Sequence, residues 1–298
     1  MAYQHIDSLY KNQDILMFKE CFAMEKVHGT SAHIGYSSGK LNFFSGGSKY
    51  ESFISLFDQE ALLEAFENHF GKYDETIEHN ISCVVFGEAY GGKCQGMSAT
   101  YGNQFRFIAF EVKIGSMKIG NMWLNVPKAE KICQHLGLDF VHYTKIPATL
   151  DAIDYERDLP SVQAVRNGMG NDKLREGIVL RPLEEFTNNN GERVIAKHKG
   201  DAFKETQTSR HPNDILIRKV EIADITNEWV TEERLNHILN RGVVEERIED
   251  TGKIISLMVE DVCREGKGEI KDSLDLRKAI GRETALMFKR RLNRICVQ

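Results

Sequence analysis

Four lysines of this chain occur in the pattern Lys-x-x-Gly, in which the side-chain amine could attack a phosphorus atom. The four matches begin at Lys26, Lys93, Lys197 and Lys278. An attacking lysine must be partly deprotonated, which requires a cationic or desolvated environment. The same chemistry needs further lysines to hold phosphates, a carboxylate to hold a divalent metal, and an aromatic ring on which a purine can stack.

Only Lys26 is followed along the chain by all of these groups. They are Glu88 at the end of the apolar run Phe86-Gly87-Glu88, Phe110 and Glu111 in an aromatic run, Glu176 before an apolar run, and the pair Lys197 and Lys199. Alternate residues of a strand share one face, so Lys197 and Lys199 can contact phosphate together. Lys93 has no carboxylate strand before the aromatic run, Lys278 lies in a predicted helix, and Lys197 follows every other group. The order of the groups therefore favours Lys26 as the nucleophile.

The elements that must hold these groups are mostly strands up to about Lys199. Short alternating or apolar runs rich in β-branched and aromatic residues predict strands at residues 32–36, 40–44, 81–87, 105–112, 177–181 and 193–197. Ser37-Ser38-Gly39 predicts a hairpin turn between the first two. Helical spacing predicts helices at 54–70 and 127–136, with Gly137 as the stop of the second. Strands and helices in irregular order predict an α+β fold with antiparallel sheets.

The last quarter of the chain has a helical pattern instead. Thr231 is a predicted N-cap, followed by apolar residues at helical spacing. Two further helices are predicted around residues 254–262 and 276–295. We therefore expect one domain over residues 1–215 and a small all-α domain over residues 216–298, joined by a polar linker.

Composition and charge limit the classes of protein to which this chain can belong. A chain of 298 residues with 41% hydrophobic content can bury a core, and its six scattered cysteines, without zinc spacing, predict reduced thiols. The N-terminus has no export signal and no apolar stretch is long enough to span a membrane, so we expect a cytoplasmic protein without membrane association. The net charge is −5, yet residues 271–298 contain eight basic and three acidic residues. That segment is either a solvated helix face or a surface that contacts phosphate.

The residues around Lys26 match a family motif throughout. Glu25-Lys26-Val27-His28-Gly29-Thr30 resembles the nucleophile motif Glu-Lys-[Ile/Val]-His-Gly-Thr of the phage RNA ligase 2 group, to which the trypanosome RNA-editing ligases belong. This group is part of the covalent nucleotidyltransferase superfamily. The resemblance implies an α+β nucleotidyltransferase (ATP-grasp-like ligase) domain of antiparallel sheets with flanking helices, followed by an all-α domain.

The resemblance also implies roles for individual residues. Lys26 would form lysyl-AMP, His28 would assist positioning or end sealing, and Phe110 would stack on adenine. The implied catalytic residues are Lys26, His28, Glu88, Glu176, Lys197 and Lys199. The implied nucleotide contacts are Glu25, Lys26, Gly29, Lys49, Glu88, Phe110, Lys197 and Lys199. The implied metal ligands are Glu176 and Glu111.

The C-terminal quarter favours one branch of the superfamily. DNA ligases and capping enzymes follow the last lysine motif with a β-rich domain, whereas this helical pattern resembles the C-terminal domain of RNA ligase 2. By local context, the resemblance implies RNA contacts by Arg234, Asp261 and Glu265.

Two positions depart from the group. Ser31 stands where the group usually has asparagine. The group also places an arginine further along the chain, where this sequence has a glycine-rich stretch ending at Lys49. Either Lys49 takes that role without the bidentate fork of arginine, or the turn presents backbone amides to phosphate.

These features predict an ATP-dependent RNA ligase that joins a 5′-phosphate to a 3′-hydroxyl through lysyl-AMP and RNA-adenylate, in RNA repair. The expected cofactors are ATP and Mg²⁺, with Mn²⁺ as a substitute. The expected partner is RNA ends in a nicked duplex, with no protein partner. Two alternatives stay open: a DNA ligase or capping-type nucleotidyltransferase, and a noncatalytic protein that binds RNA ends.

Overall fold

The computed structural model describes residues 3–74, 80–116, 120–208, 211–213 and 219–295. These residues form two compact units, one within residues 1–8 and 12–198, the other within residues 9–11 and 199–298. The predicted domain boundary between residues 215 and 216 lies outside the described residues and stays a prediction. Among the helices of the described ranges, none has the length and apolar character needed to cross a membrane.

The first unit is built on two sheets. Its strands are β1 (Glu20–Lys26), β2 (Thr30–Ser37), β3 (Lys40–Ser45), β4 (Ser82–Tyr90), β5 (Arg106–Ser116), β6 (Gly120–Trp123), β7 (Tyr143–Pro147), β8 (Gly177–Pro182) and β9 (Ala196–Lys199). One sheet has the order β7-β1-β8-β9 and the other has the order β3-β2-β4-β5-β6. β1 pairs antiparallel with both β7 and β8, and the neighbours in the larger sheet are all antiparallel. The α+β fold with antiparallel sheets is thus confirmed.

The turn between β2 and β3 follows the predicted hairpin. Ser38 has φ 51° and Gly39 has φ 70°, and Ser37 pairs with Lys40 across the turn. Positive φ at both central residues is the geometry of a two-residue type I′ turn, whose twist matches that of the strands.

The other predicted strands agree with the structure to different extents. Five of the predicted strands correspond to β2, β3, β4, β5 and β8, whereas the strand predicted at 193–197 begins only at Ala196. Arg193 instead forms an isolated bridge with Thr187. β1, β6 and β7 were not predicted; the apolar run Cys21-Phe22-Ala23-Met24 of β1 contains no β-branched residue.

Six helices flank the sheets of the first unit. They are α1 (Tyr50–Ile54), α2 (Gln59–Phe70), α3 (Ser98–Tyr101), α4 (Val126–His135), α5 (Leu150–Arg157) and α6 (Val162–Arg166). The single helix predicted at 54–70 is two helices, because the Asp58 side chain accepts from the Ala61 N–H and begins a new one. Gly137 has φ 69° directly after α4 and its C-cap, as predicted for a helix stop. The core joins both sheets, with Met24 and Val85 in one cluster.

The second unit is helical. Its helices are α7 (Ile222–Trp229), α8 (Glu232–Leu239), α9 (Thr251–Glu265) and α10 (Leu274–Ile295). The Thr231 side chain accepts from the Arg234 N–H at 3.2 Å, which confirms the predicted N-cap of α8. Trp229, Met258 and Phe288 belong to one buried cluster of this unit. The three predicted helices are confirmed, and α7 was not predicted.

Candidate active site

Lys26 is the last residue of β1, and its amine lies against a buried carboxylate. Lys26 is opposite Gly177 in the pairing of β1 with β8, so Glu176, the residue before β8, comes beside it. The Lys26 Nζ atom donates to Glu176 Oε2 at 2.8 Å. The Glu176 side chain is 1% exposed and that of Lys26 is 25% exposed. The carboxylate is therefore shielded from water, while the amine stays reachable.

His28 contacts the same carboxylate from the turn after β1. Its Nδ1 atom lies 3.1 Å from Glu176 Oε2. The His28 backbone N–H donates to the hydroxyl of Tyr101 at 3.2 Å, and Tyr101 is buried. The structure therefore brings Glu176 to Lys26 and His28, although 150 residues of sequence separate Glu176 from Lys26.

Glu88 reaches this turn from β4. The Gly29 backbone N–H donates to Glu88 Oε1 at 3.1 Å. A Cβ atom added at Gly29 would lie 2.3 Å from the carbonyl oxygen of Ala89, so a side chain cannot be accommodated without moving the strands. Gly29 is thus required for the close approach of the turn to β4. Its predicted contact with a nucleotide stays a prediction.

The surroundings of Glu88 change its acidity. Burial raises the pKa of Glu88, Lys26 opposes the rise and Glu176 adds to it, so that the pKa is about 7. Two carboxylates and one amine thus share a confined space. Such clustering of opposed charges with a shifted pKa is typical of functional sites.

Glu25 is buried and contacts the start of helix α6. It is 3% exposed, and its carboxylate accepts from the Ser161 hydroxyl at 2.5 Å and from the Val162 N–H at 2.9 Å. Neighbouring residues of a strand point to opposite faces, so Glu25 points away from the Lys26 amine. Glu25 thus caps the N-terminus of α6, where a negative charge is favourable, and its predicted contact with a nucleotide stays a prediction.

Glu111 also has other partners than the predicted metal. It is 1% exposed, and its oxygens lie 3.0 Å from Arg181 Nη1 and 3.1 Å from Arg193 Nη1. The Tyr3 hydroxyl donates to it at 2.6 Å. Two guanidinium groups and a hydroxyl surround this carboxylate in a buried ion network, and its predicted metal contact stays a prediction.

Phe110 lies at an irregularity of β5. Glu111 pairs with Phe86 and Ala109 pairs with Gly87, which leaves Phe110 as the extra residue of a β-bulge. The ring of Tyr3 meets the Phe110 ring edge-on at 5.1 Å between centroids. Phe110 is only partly buried, and its predicted stacking on adenine stays a prediction.

Strand β9 presents its residues alternately to two sides. His198 is buried, with Nε2 2.7 Å from Asp154 Oδ1 and 2.8 Å from Arg157 Nη1. Lys197 and Lys199 are partly exposed on the other side. The Lys197 N–H donates to the Asp7 carbonyl at 2.9 Å. The alternation confirms that the two lysines share one face, and their phosphate contacts stay predictions.

The two departures from the family motif are neighbours in the structure. The Gly46 N–H donates to the Ser31 carbonyl at 2.9 Å, and Ser31 is opposite Glu88 in the sheet. Lys49 is exposed at the N-cap of α1. The glycine-rich turn is therefore hydrogen-bonded to the strand that carries Ser31, and its predicted contact with phosphate stays a prediction.

Two of the residues predicted to contact RNA in the helical unit are buried. Arg234 and Asp261 are each 1% exposed and form an ion pair. Although burial by itself raises the pKa of Asp261, the guanidinium groups of Arg234, Arg241 and Arg264 lower it to about 2. Arg234 and Asp261 thus form an internal ion network, and their predicted RNA contacts stay predictions. Glu265 is partly exposed and lies 3.4 Å from Arg264, and its predicted contact stays a prediction.

Several supporting residues escaped the sequence analysis. They are Tyr101, Ser161, Arg181 and Arg193. For Arg181 a signal existed, since an arginine in the apolar run of β8 needs a buried partner. For the others the partner is distant in sequence, and no local pattern indicates it.

The chain is similar to known proteins in sequence family and in fold. Residues 19–199 match the RNA ligase family. A solved structure of a lysine-to-methionine mutant of Naegleria gruberi RNA ligase with AMP and Mn is similar with a TM-score of 0.50 and 13% identity, over 68% of this chain and 57% of that one. The same ligase with PPi has a TM-score of 0.49 at 14% identity, with the same coverage. The chain spans a little over half of those chains, and at these identities the likeness shows the fold alone. No match is found among curated protein sequences.

Proposed function

The chain belongs to the RNA ligase family, and from that premise we propose that it is an ATP-dependent ligase that joins a 5′-phosphate to a 3′-hydroxyl of RNA. The observation that carries the proposal is the contact of Lys26 Nζ with Glu176 Oε2 at 2.8 Å, with His28 Nδ1 3.1 Å from the same oxygen. A lysine held by a buried carboxylate at a strand end is oriented for attack and has a nearby proton acceptor.

In the first step Lys26 Nζ attacks the α-phosphorus of ATP. An N–P bond forms, the bond to the β-phosphate oxygen breaks, and pyrophosphate leaves. The amine loses a proton, for which Glu176 is the adjacent acceptor. Lys197 and Lys199 neutralise the phosphates, and Phe110 stacks on adenine.

Two further transfers complete the reaction. The RNA 5′-phosphate attacks lysyl-AMP, so that the N–P bond breaks and a 5′–5′ pyrophosphate bond forms. The 3′-hydroxyl then attacks the 5′-phosphorus, a phosphodiester forms, and AMP leaves. We place this activity in RNA repair.

A divalent cation fits the acidic groups of this site. Glu176 and Glu88 are close enough that Glu176 raises the pKa of Glu88, and hard oxygen ligands of this kind suit Mg²⁺ or Mn²⁺. The cation would neutralise charge on the triphosphate. The AMP and Mn in the Naegleria structure support this proposal.

Labelling tests the first step. With α-labelled ATP and Mg²⁺, the wild type should acquire covalent label and Lys26→Ala should not. Lys93→Ala is the matched control, because Lys93 begins another Lys-x-x-Gly match and is exposed. Equal labelling of Lys26→Ala and the wild type would rule out Lys26 as the nucleophile.

A sealing assay separates the alternatives. Nicked duplex and single-stranded substrates are compared, with RNA or DNA on each side of the junction. We expect sealing of the nicked duplex with ribose at the 3′ side. Labelling by GTP, or sealing of all-DNA nicks, would favour the DNA ligase or capping alternative, and RNA binding without lysyl-AMP would favour the noncatalytic one.

Helix α10 offers a surface for the RNA backbone. Within the described ranges, Arg282, Lys289 and Arg294 have no ion-pair partner, whereas Arg277 pairs with Asp272. Unneutralised cations repeated along one helix suit phosphate contacts. We therefore place the polynucleotide backbone along this helix.

A further inference from the structure

Lys199, a predicted phosphate contact, has an internal carboxylate partner. Its ammonium group forms an ion pair with the carboxylate of Glu205, six positions along the chain. The Lys199 side chain is 20% exposed and that of Glu205 is 17% exposed. A shielded ion pair is screened less by salt and water than an exposed one, so the pairing reduces the ability of Lys199 to bind another anion.

Glu205 keeps other partners if Lys199 leaves. Its Oε2 atom lies 3.6 Å from Arg234 Nη1 and 3.8 Å from His237 Nδ1. The Arg234 Nη2 atom also donates to the Glu205 carbonyl at 3.0 Å. Although burial by itself raises the pKa of Glu205, Lys199, His237 and Arg234 hold it well below its usual range. The carboxylate thus remains charged and compensated when one cation of the cluster is removed.

This cluster does not suit a metal ion. Glu205, His237 and Asp261 each offer a ligand atom within 4.8 Å of the others. However, Asp261 is already bound by Arg234, Arg241 and Arg264, and Glu205 is bound by Lys199. A further cation would be repelled by the four that are present.

We propose that Glu205 is an exchangeable counter-ion of Lys199, which holds the ammonium group until a phosphate of the bound nucleotide displaces it. The inference rests on the proposed function, because it needs Lys199 to bind nucleotide phosphate. Glu205 then competes with ATP for the same cation. Since only the fraction of molecules with Lys199 released binds ATP fully, the apparent affinity for ATP is reduced by that fraction.

The test is the KM for ATP in lysyl-AMP formation. Glu205→Gln keeps the size of the side chain and removes its charge, so KM should fall by about 2- to 5-fold, as expected for an ion pair that no longer has to be broken. In a Lys199→Met background, where the Kd for ATP is measured directly because Lys199 is itself an implied catalytic residue, the same substitution should leave the affinity for ATP unchanged, because no Lys199 ammonium group is left for Glu205 to hold. A solely structural role of Glu205 would not produce this dependence on Lys199.

A matched control is Glu228→Gln. Glu228 is another carboxylate of the helical unit that is paired with a lysine, and its Oε2 atom lies 3.5 Å from Lys219 Nζ. This control should leave the KM for ATP as in the wild type. Glu205→Asp, which keeps the charge and shortens the reach to Lys199, provides a second variant and should lower KM by a smaller factor.

The outcomes separate this inference from the function on which it rests. An unchanged or raised KM in Glu205→Gln, or a fall in the Kd for ATP that persists in the Lys199→Met background, overturns the role of Glu205 alone. A wild type that forms no lysyl-AMP overturns both proposals.

Discussion

Replacing Glu88 by glutamine should make the protein more stable at alkaline pH and less active. The Glu88 carboxyl has an ordinary pKa of 4.5 and a pKa of about 7 in the folded protein, because of burial, which Lys26 opposes and Glu176 reinforces. The folded state therefore binds this proton more tightly than the unfolded state. The stability that the protonated carboxyl contributes is fully present below pH about 4.5 and is lost as the pH rises through about 7.

The magnitude follows from the shift. At about 1.4 kcal/mol for each pKa unit, ionisation of Glu88 in the folded protein costs at most about 3 kcal/mol. Because the side chain is partly exposed, solvent screens the charge, and we expect a cost of about 1–3 kcal/mol. Glutamine cannot ionise, and its amide oxygen can still accept from the Gly29 N–H. Glu88→Gln should therefore raise the free energy of unfolding by about 1–3 kcal/mol at pH 8 relative to the wild type, and change it much less at pH 5.

Urea unfolding at pH 5 and pH 8 measures this difference, and labelling with α-labelled ATP measures the loss of lysyl-AMP formation. Glu60→Gln, at an exposed position of α2, is the control and should show the same small change at both pH values. A Glu88→Gln protein that is less stable than the wild type at pH 8, or equally changed at both pH values, would refute the reasoning. Gain of stability with loss of activity is the expected pattern for a functional carboxylate.

Three further changes follow from the same geometry. Gly29→Ala should destabilise the protein by about 1–3 kcal/mol, because its Cβ would collide with a carbonyl oxygen, and a thermal melt checks this. Asp261→Asn should cost about 3–5 kcal/mol, because it removes the counter-charge of buried Arg234, and urea unfolding would contradict this if it found a change below 1 kcal/mol. The pair of changes Arg282→Gln and Lys289→Gln should lower the slope of log affinity for RNA against log salt concentration by about 2, since each phosphate contact contributes about 0.9. A slope like that of the wild type in salt-dependent binding would remove α10 from the RNA surface.

Much of the site could be predicted because its signals are local. The hexapeptide Glu25–Thr30 distinguishes Lys26 from three other Lys-x-x-Gly lysines, and Glu176 precedes an apolar run that the structure confirms as β8. The alternation of Lys197 and Lys199 on one face also follows from strand geometry alone. The direction of the Glu25 side chain, in contrast, depends on a strand that was not predicted. Because β1 was not predicted as a strand, the opposite directions of Glu25 and Lys26 were not foreseen.

The sequence by itself determined the nucleophile motif, the α+β class and the helical end of the chain, because hydrophobic period, caps and motif spacing are properties of neighbouring residues. Only the tertiary structure decided which carboxylates reach the site. Lys26 meets Glu176 at a separation of 150 residues through the register of β1 with β8, whereas Glu111 is held by Arg181 and Arg193. The sequence pattern predicts that Arg234 and Asp261 are surface residues of helices, yet the packing of α8 and α9 buries them together. The physical reason is that the partner of a charged side chain depends on strand register and helix packing, which local sequence does not specify.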